Sequence, residues 1–227
     1  MSGSSWTHKL ARPLIRPLLG TWVRPNHITT LRVVLGIAAC IYLTLGTADG
    51  NLWAGILWLI SAFLDRADGE LARMGNLGTE WGHLYDYYSD NAINAAFFFA
   101  AGIGAAHGWL GVWGWVVGTL TAGALLLAGW WSELLERRSG PGVKAYEGRW
   151  GFDPDDGLYL LAPFAWLGWL PVILVASGIV TPIVALVTGL RLLKLRRAQS
   201  QTPAAPVETA NANPAARART GTGPDRR

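Results

Sequence analysis

The stretch "FLDRADGELARMGNLGTEWGHLYDYYSDN", Phe63 to Asn91, decides how this chain is read. It places Asp65, Asp68, Asp86 and Asp90 between two oily runs, "LWAGILWLISAF" and "AINAAFFFAAGIGAA". Each run reads as part of a membrane-crossing helix, where an ionisable side chain is costly and marks function by default. Helical spacing sorts the acids into two pairs: Asp65 and Asp68 are i, i+3, and Asp86 and Asp90 are i, i+4, so each pair shares a face. With those faces opposed, four carboxylates converge. Like charges that close repel and raise one another's pKa, and divalent cations relieve the repulsion by coordination. An all-oxygen ligand set suits hard ions such as Mg²⁺ or Mn²⁺. Two ions, or one ion and a free carboxylate, both satisfy four acids. Arg73, one turn beyond Gly69, adds a forked donor for phosphate. Gly69, Ala72 and Gly82 are small enough for a flat ligand to approach the backbone, or for helices to pack tightly. His83 neighbours Gly82 but points about 100° away, which favours packing or a polar contact over catalysis.

Working outward, the 227-residue chain is 51% hydrophobic and 15% charged, against about 25% charged in ordinary globular proteins. That deficit and the long apolar runs predict an all-α, polytopic membrane protein with six transmembrane helices. The expected spans are Ile28 to Leu45, Leu52 to Ala72, Trp81 to Ala105 and Leu110 to Leu134, with two more sharing Gly157 to Arg191. Two breakers compete to divide the last pair: "GWLP" at Gly168 to Pro171, and Ser177-Gly178. The N-terminus lacks the continuous apolar core of a cleavable signal peptide. The single Cys40 excludes an intrachain disulfide.

All 19 basic residues fall at or beyond span ends on one side of this arrangement, from Lys9, Arg12, Arg16, Arg24 and Arg32 at the front to Arg191, Lys194, Arg196, Arg197 and the tail. The positive-inside rule then places both termini and the acidic cluster in the cytoplasm. The net charge of +4 follows from this asymmetry, and no folded basic domain stands outside the membrane to bind nucleic acid. Residues 1–26 read as an interfacial juxtamembrane segment. There Trp6, Leu10, Leu14, Ile15, Leu18 and Leu19 share a broad amphipathic face, and Pro13 and Pro17 invite a division into two short helices. Residues 27–198 form the expected six-helix transmembrane catalytic domain, and residues 199–227, polar and rich in Pro and Ala, a disordered cytoplasmic tail.

The pattern Asp65-x2-Asp68-Gly69-x2-Ala72-Arg73-x8-Gly82-x3-Asp86-x3-Asp90 fills every fixed position of the signature of the CDP-alcohol phosphotransferase (CDP-alcohol phosphatidyltransferase) family, which the chain therefore resembles. The "RPNHITTLR" segment, Arg24 to Arg32, is similar to the Pro-Asn-x-Ile-Thr that often leads the family's first span. The resemblance implies that Asp65, Asp68, Asp86 and Asp90 hold Mg²⁺ or Mn²⁺, as two ions, and that Asp90 is the catalytic base on the acceptor hydroxyl. It implies that Asp68, Gly69, Ala72, Arg73, Thr79 and Gly82 line the cytidine nucleotide site. The implied reaction moves a phospho-alcohol group, such as phosphatidyl, from a CDP-alcohol to an acceptor hydroxyl and releases CMP, as in phospholipid synthesis. CDP-diacylglycerol is the common donor for so short a chain, with glycerol phosphate, inositol phosphate or serine as acceptors and membrane lipids as surroundings. The implied location is the cell inner membrane.

Outside the signature, Arg137, Arg138, Lys144 and Arg149 are candidates to bind an anionic acceptor, though inside-positive anchoring explains them equally. Asp153, Asp155 and Asp156 are expected to cap the fifth span. The residue after the last aspartate is Asn91, where phospholipid synthases of this family often carry Lys or Arg, and this bears on the acceptor class. Gly114-x3-Gly118 matches a helix-pairing motif that could build a homodimer. The rival reading is a transporter or ion channel with an acidic intramembrane site, which predicts charges spread along a path and discontinuous helices in both halves.

Overall fold

A computed structural model describes residues 6–139 and 154–201. The described residues form helices and turns, with no strand among them. In chain order these are α1 (Trp6–Ile15), a 3₁₀ turn (Arg16–Leu18), α2 (Pro25–Thr44), α3 (Ala48–Met74), α4 (Glu80–Ala106), α5 (Val112–Ser139), a 3₁₀ segment (Pro154–Leu160), α6 (Leu161–Trp166) and α7 (Leu170–Gln201).

Local chemistry sets the helix ends that matter. Pro25 opens α2 at the position where its fixed φ is already helical and its missing N–H costs nothing. Thr47 starts α3 by accepting the Gly50 N–H at 3.0 Å, and Thr79 starts α4 by accepting the Gly82 N–H at 2.9 Å. At the other end of α3, Asn76 takes a left-handed φ of 51°. There the Leu77 N–H bonds the Ala72 carbonyl at 2.9 Å and the Asn76 N–H bonds Arg73 at 3.4 Å. This is a Schellman closure, and Leu77 folds back to pack beside Leu71. The chain thus reverses within a few residues, and α4 returns alongside α3.

The apolar core fills one half of the bundle. Trp58 of α3 meets Phe97 of α4 with ring centroids 4.1 Å apart, among Ala39, Leu43, Ala54, Ile93 and Leu174. At the same level α4 and α5 touch backbone to backbone: a Cβ on Gly102 would lie 2.5 Å from the Gly114 carbonyl oxygen and 2.8 Å from the Gly118 Cα. The Gly114 and Gly118 face expected for a dimer is therefore used inside one chain.

In α7, Gly178 faces Val117 and Gly189 faces Trp131, so α7 runs parallel to α5. Two parallel helices so placed require a return across the bundle between them. The described part of that return, Pro154–Trp166, is a 3₁₀ segment and a short α-helix rather than one long helix. It is tied to α3 by Trp58 Nε1 to the Leu158 carbonyl at 2.9 Å, Tyr159 Oη to the Ala62 carbonyl at 2.8 Å and Trp166 Nε1 to the Leu52 carbonyl at 3.1 Å. Of the two breakers, "GWLP" is the one used: Gly168 has φ 71°, whereas Ser177 and Gly178 lie within continuous α7.

Among the described residues, three helices are long and apolar enough to cross a membrane: Pro25–Thr44, Val112–Ser139 and Leu170–Arg197. Each 27-residue helix, α3 and α4, is longer than α2, but they carry the aspartates. The outer surface is apolar: Ile37 and Ile41 of α2, Leu120 and Leu127 of α5, and Ile183 and Leu190 of α7 are all exposed. At the N-terminus α1 gives way to a 3₁₀ turn at Pro17. Its Ala11 and Ile15 are buried, Ile15 beside Ile28, Ala67 and Leu71, while Leu10 and Leu14 face outward. The expected boundary at residue 198 falls inside α7, where Gln199 Nε2 donates to the Arg138 carbonyl at 3.2 Å. The remainder of the expected disordered tail, residues 202–227, lies outside the described residues.

Candidate metal and nucleotide site

The antiparallel course of α2, α3 and α4 brings the start of α2, the end of α3 and the start of α4 to one end of the bundle. One carboxylate oxygen from each of Asp65, Asp68 and Asp86 lies within 4.8 Å of the others. Coordination bonds of about 2.0–2.6 Å span such a triangle with small side-chain adjustment, so the donor set and its spacing fit a hard divalent cation. Asp68 is the deep member, 3% exposed, and accepts from Thr29 Oγ1 of α2 at 2.7 Å.

Asp90 joins the group through a residue that sequence reasoning did not assign to the site. The Arg32 side chain is 4% exposed, and its Nη1 donates to both Asp65 Oδ1 and Asp90 Oδ1. Its Nη2 reaches Asp86 Oδ1 at 3.4 Å and the Asp86 carbonyl at 3.5 Å. Counting Arg32 among the front anchors is thus corrected: it lies two turns inside α2, and its carbonyl accepts from Ser61 Oγ at 3.0 Å. The available signal was depth. An arginine eight residues past Arg24, in an apolar span, has no headgroup within reach and must pair internally.

The predicted nucleotide residues meet in one place. Asp68, Gly69, Ala72, Arg73, Thr79 and Gly82 all line a cavity of about 290 Å³, joined by Asn26, Thr29, His83 and Asp86. Gly82 keeps it open, since a Cβ there would stand 2.9 Å from Thr79 Oγ1 and 3.0 Å from Asn26 Oδ1. His83 is a wall residue, as its position beside Gly82 allows. Arg73 sits at the rim, half exposed, with Nη2 on Glu70 Oε1 at 2.8 Å. The buried Glu70 also accepts from Arg12 Nε at 3.0 Å, so α1 is clamped to the cavity's edge. On the far side of the carboxylates, Asp65 and Asp90 line a second, much smaller cavity with Arg32, Ser61, Asn94 and Tyr159.

Of the acceptor candidates, Arg137 and Arg138 do not join these cavities. Arg137 pairs with Glu133 at 2.5 Å on α5, and Arg138 is exposed on the same turn. Lys144, Arg149 and Asp153 lie outside the described residues, as do the side chains of Asp155 and Asp156. Asn91 faces away from the carboxylates: it donates to the Tyr87 carbonyl at 2.8 Å and packs on Gly129 of α5. Tyr87 Oη donates to the Gly129 carbonyl at 2.7 Å. The tyrosines of "YDYYSDN" serve helix contacts too, with Tyr85 Oη 3.1 Å from Thr30 Oγ1 of α2.

The profile of the CDP-alcohol phosphatidyltransferase family matches residues 22–181, which include both cavities and all four aspartates. This chain belongs to that family. It is a membrane protein, as its apolar helices and its family agree. It is 28% identical to the bifunctional IPC transferase and DIPP synthase of Aquifex aeolicus over 180 residues, 77% of this chain and 40% of that one. It is 33% identical to phosphatidylinositol phosphate synthase of Mycobacteroides abscessus over 102 residues, 44% of this chain and 45% of that one. The chain thus spans less than half the length of the curated relatives it matches. Among solved structures, phosphatidylinositol phosphate synthase of Mycobacterium tuberculosis with CDP-DAG bound superposes with a TM-score of 0.57 at 16% identity, covering 87% of this chain and 95% of that one. The same enzyme in complex with manganese and citrate gives 0.56 at 17% identity, covering 87% and 90%. At that identity the likeness establishes a common fold.

Proposed function

We propose that this chain is a divalent-metal-dependent transferase that moves a phospho-alcohol group from a CDP-alcohol to an acceptor hydroxyl, in phospholipid synthesis. The observation that carries this reading is the cavity itself. Six residues spread from Asp68 to Gly82 line one space of about 290 Å³ against the carboxylates. A nucleotide in that cavity finds backbone approach at Gly69 and Gly82 and a guanidinium at its rim.

Asp65, Asp68, Asp86 and Asp90 would hold Mg²⁺ or Mn²⁺. When bound, such ions neutralise the negative charge of a phosphate diester under attack. Asp90, on the side of the quartet away from the nucleotide cavity, takes the proton from the acceptor hydroxyl. The acceptor oxygen bonds to the phosphorus that carries the non-nucleotide alcohol, the bond from that phosphorus to the CMP phosphate oxygen breaks, and CMP leaves with the electron pair. Asp68, bonded to Thr29, keeps the inner wall of the nucleotide cavity in place. CDP-diacylglycerol is the favoured donor, in line with the CDP-DAG bound to the M. tuberculosis enzyme.

For the membrane arrangement we favour six crossings, with Pro154–Trp166 on the return path that the parallel pairing of α5 and α7 requires. The basic residues then set both termini and the quartet on the cytoplasmic side of the inner membrane, with α1 along the interface and its Leu10 and Leu14 facing lipid. A homodimer would use a face other than Gly114 and Gly118. A transporter is disfavoured because the acids gather at one end of α3 and α4 instead of lining a path.

The test is CMP release from a panel of CDP-linked donors and acceptors by detergent-purified protein with Mg²⁺. The wild type is expected to release CMP, and Asp90→Asn to lose about 10²–10⁴-fold in rate while staying folded. Equal release by both would remove Asp90 as the base, and no release from any CDP-linked donor would remove the reaction.

A further inference from the structure

We propose that Arg32 is a resident counter-cation of the carboxylate quartet. In this role it holds Asp65, Asp86 and Asp90 together before metal arrives and surrenders its contacts with Asp86 and Asp90 as divalent cations load. The proposal rests on the reading of the quartet as a divalent-cation site.

The argument starts from charge. Four carboxylates at one end of two helices repel each other, and a metal-free protein must still fold around them. Helix α2 supplies the remedy from one face. Thr29 bonds Asp68, and one turn later Arg32 reaches the other three. The same two residues thus engage all four acids.

The manner of contact argues for a placeholder. Guanidinium–carboxylate pairs are frequently parallel, two-point contacts that use the fixed fork. Here one nitrogen, Nη1, is shared between Asp65 and Asp90, while Nη2 makes only long contacts with Asp86, at 3.4 and 3.5 Å. Arg32 Nε is buried without a hydrogen-bond partner, and an unmet buried donor is costly. The cluster is therefore held by one positive charge whose close contacts, to Asp65 and Asp90, share a single nitrogen. A divalent ion offers the same oxygens twice the charge, which favours exchange. The cavity beside it, lined by Ser61, Asn94 and Tyr159, is about 20 Å³, room for about one water, so the head group withdraws as those side chains shift.

The exchange has a consequence for catalysis. Arg32 occupies Asp90 Oδ1, and its withdrawal returns that oxygen to the acceptor side.

Mn²⁺ affinity, read by electron paramagnetic resonance on the substrate-free, detergent-purified full chain, tests this without reference to turnover. Arg32→Gln removes the competing charge and is expected to bind Mn²⁺ at least about tenfold more tightly than wild type, given the strength of a unit charge a few ångströms away. Arg32→Lys, with a shorter side chain unable to reach three carboxylates, should fall between them. The melting temperature in chelator should drop in Arg32→Gln, and added Mn²⁺ should raise it by more than in the wild type. Equal or weaker Mn²⁺ binding in Arg32→Gln, with normal binding by the wild type, would overturn the role of Arg32 and leave the metal site standing. Absence of Mn²⁺ binding in the wild type would overturn both. If Arg32→Gln does not survive without metal, Arg32→Lys decides: tighter binding than wild type supports the exchange, and equal or weaker binding refutes it.

Discussion

Thr29 of α2 donates its hydroxyl hydrogen to Asp68 of α3 across 2.7 Å, and both side chains are almost wholly buried. This bond links the first helix of the family domain to the deepest carboxylate of the quartet. It orients the Asp68 carboxylate by holding its Oδ2. Thr29→Val keeps the shape and leaves Asp68 without that donor. A buried acceptor stripped of its partner costs about 1–3 kcal/mol, so the metal-free protein should melt several degrees lower. Thr29→Ser should retain most of the stability. Thermal unfolding in detergent with chelator checks both, and an unchanged Thr29→Val would mean the bond carries no weight.

Gly82 offers a test of the nucleotide cavity that spares the carboxylates. Gly82→Ala puts a methyl group where Asn26 Oδ1 and Thr79 Oγ1 already stand within about 3 Å. The KM for a CDP-linked donor should rise, with kcat less affected, because the change narrows the cavity and leaves Asp90 untouched. An equal fall in kcat at constant KM would argue that the nucleotide does not lie there.

The clamp at the cavity rim gives a structural readout. Glu70→Ala removes the acceptor shared by Arg12 and Arg73, so α1 loses its ionic hold on α3. Trypsin should then cut the Lys9–Leu10 bond of α1 faster than in the wild type; the bonds after Arg12 and Arg16 precede proline and resist it. Arg73→Ala leaves the Arg12 contact and should chiefly weaken donor binding. Unchanged cleavage in Glu70→Ala would show that Ala11 and Ile15 alone dock α1.

Gly129→Ala probes the α4–α5 contact one residue from Asp90. No room exists there for a methyl group beside the Asn91 side chain. Overpacking of this kind costs about 1–3 kcal/mol, measurable as a lower melting temperature. Activity should fall as well, because Asn91 and Asp90 share a helical turn. A variant as stable as wild type would mean that Asn91 repacks freely.

These positions also show what could be read from sequence. Asp65, Asp68, Asp86 and Asp90 were legible because spacing on a helix translates directly into shared faces, and the turn at Asn76 opposes those faces as required. Arg32 was not, because a positive charge near a span start looks like an anchor until its depth is counted. Gly168 and Gly178 are alike as letters. Only packing separates them, Gly168 adopting a left-handed turn and Gly178 lying against Val117. Gly114 and Gly118 announced close helix contact but not the partner, since Gly102 on the same chain carries no less inviting a surface than a second copy would. Asn91, next to Asp90, bears on the acceptor class, and Tyr87 lies one turn before it. Their side chains turn to α5 because α4 must dock there.

The most direct test of the account is the manganese anomalous signal from crystals of the full chain grown or soaked with Mn²⁺. The account predicts a peak bounded by oxygens of Asp65, Asp68 and Asp86, with the Arg32 guanidinium withdrawn from Asp86 and Asp90. Absence of any peak among the four aspartates at saturating Mn²⁺ would contradict it.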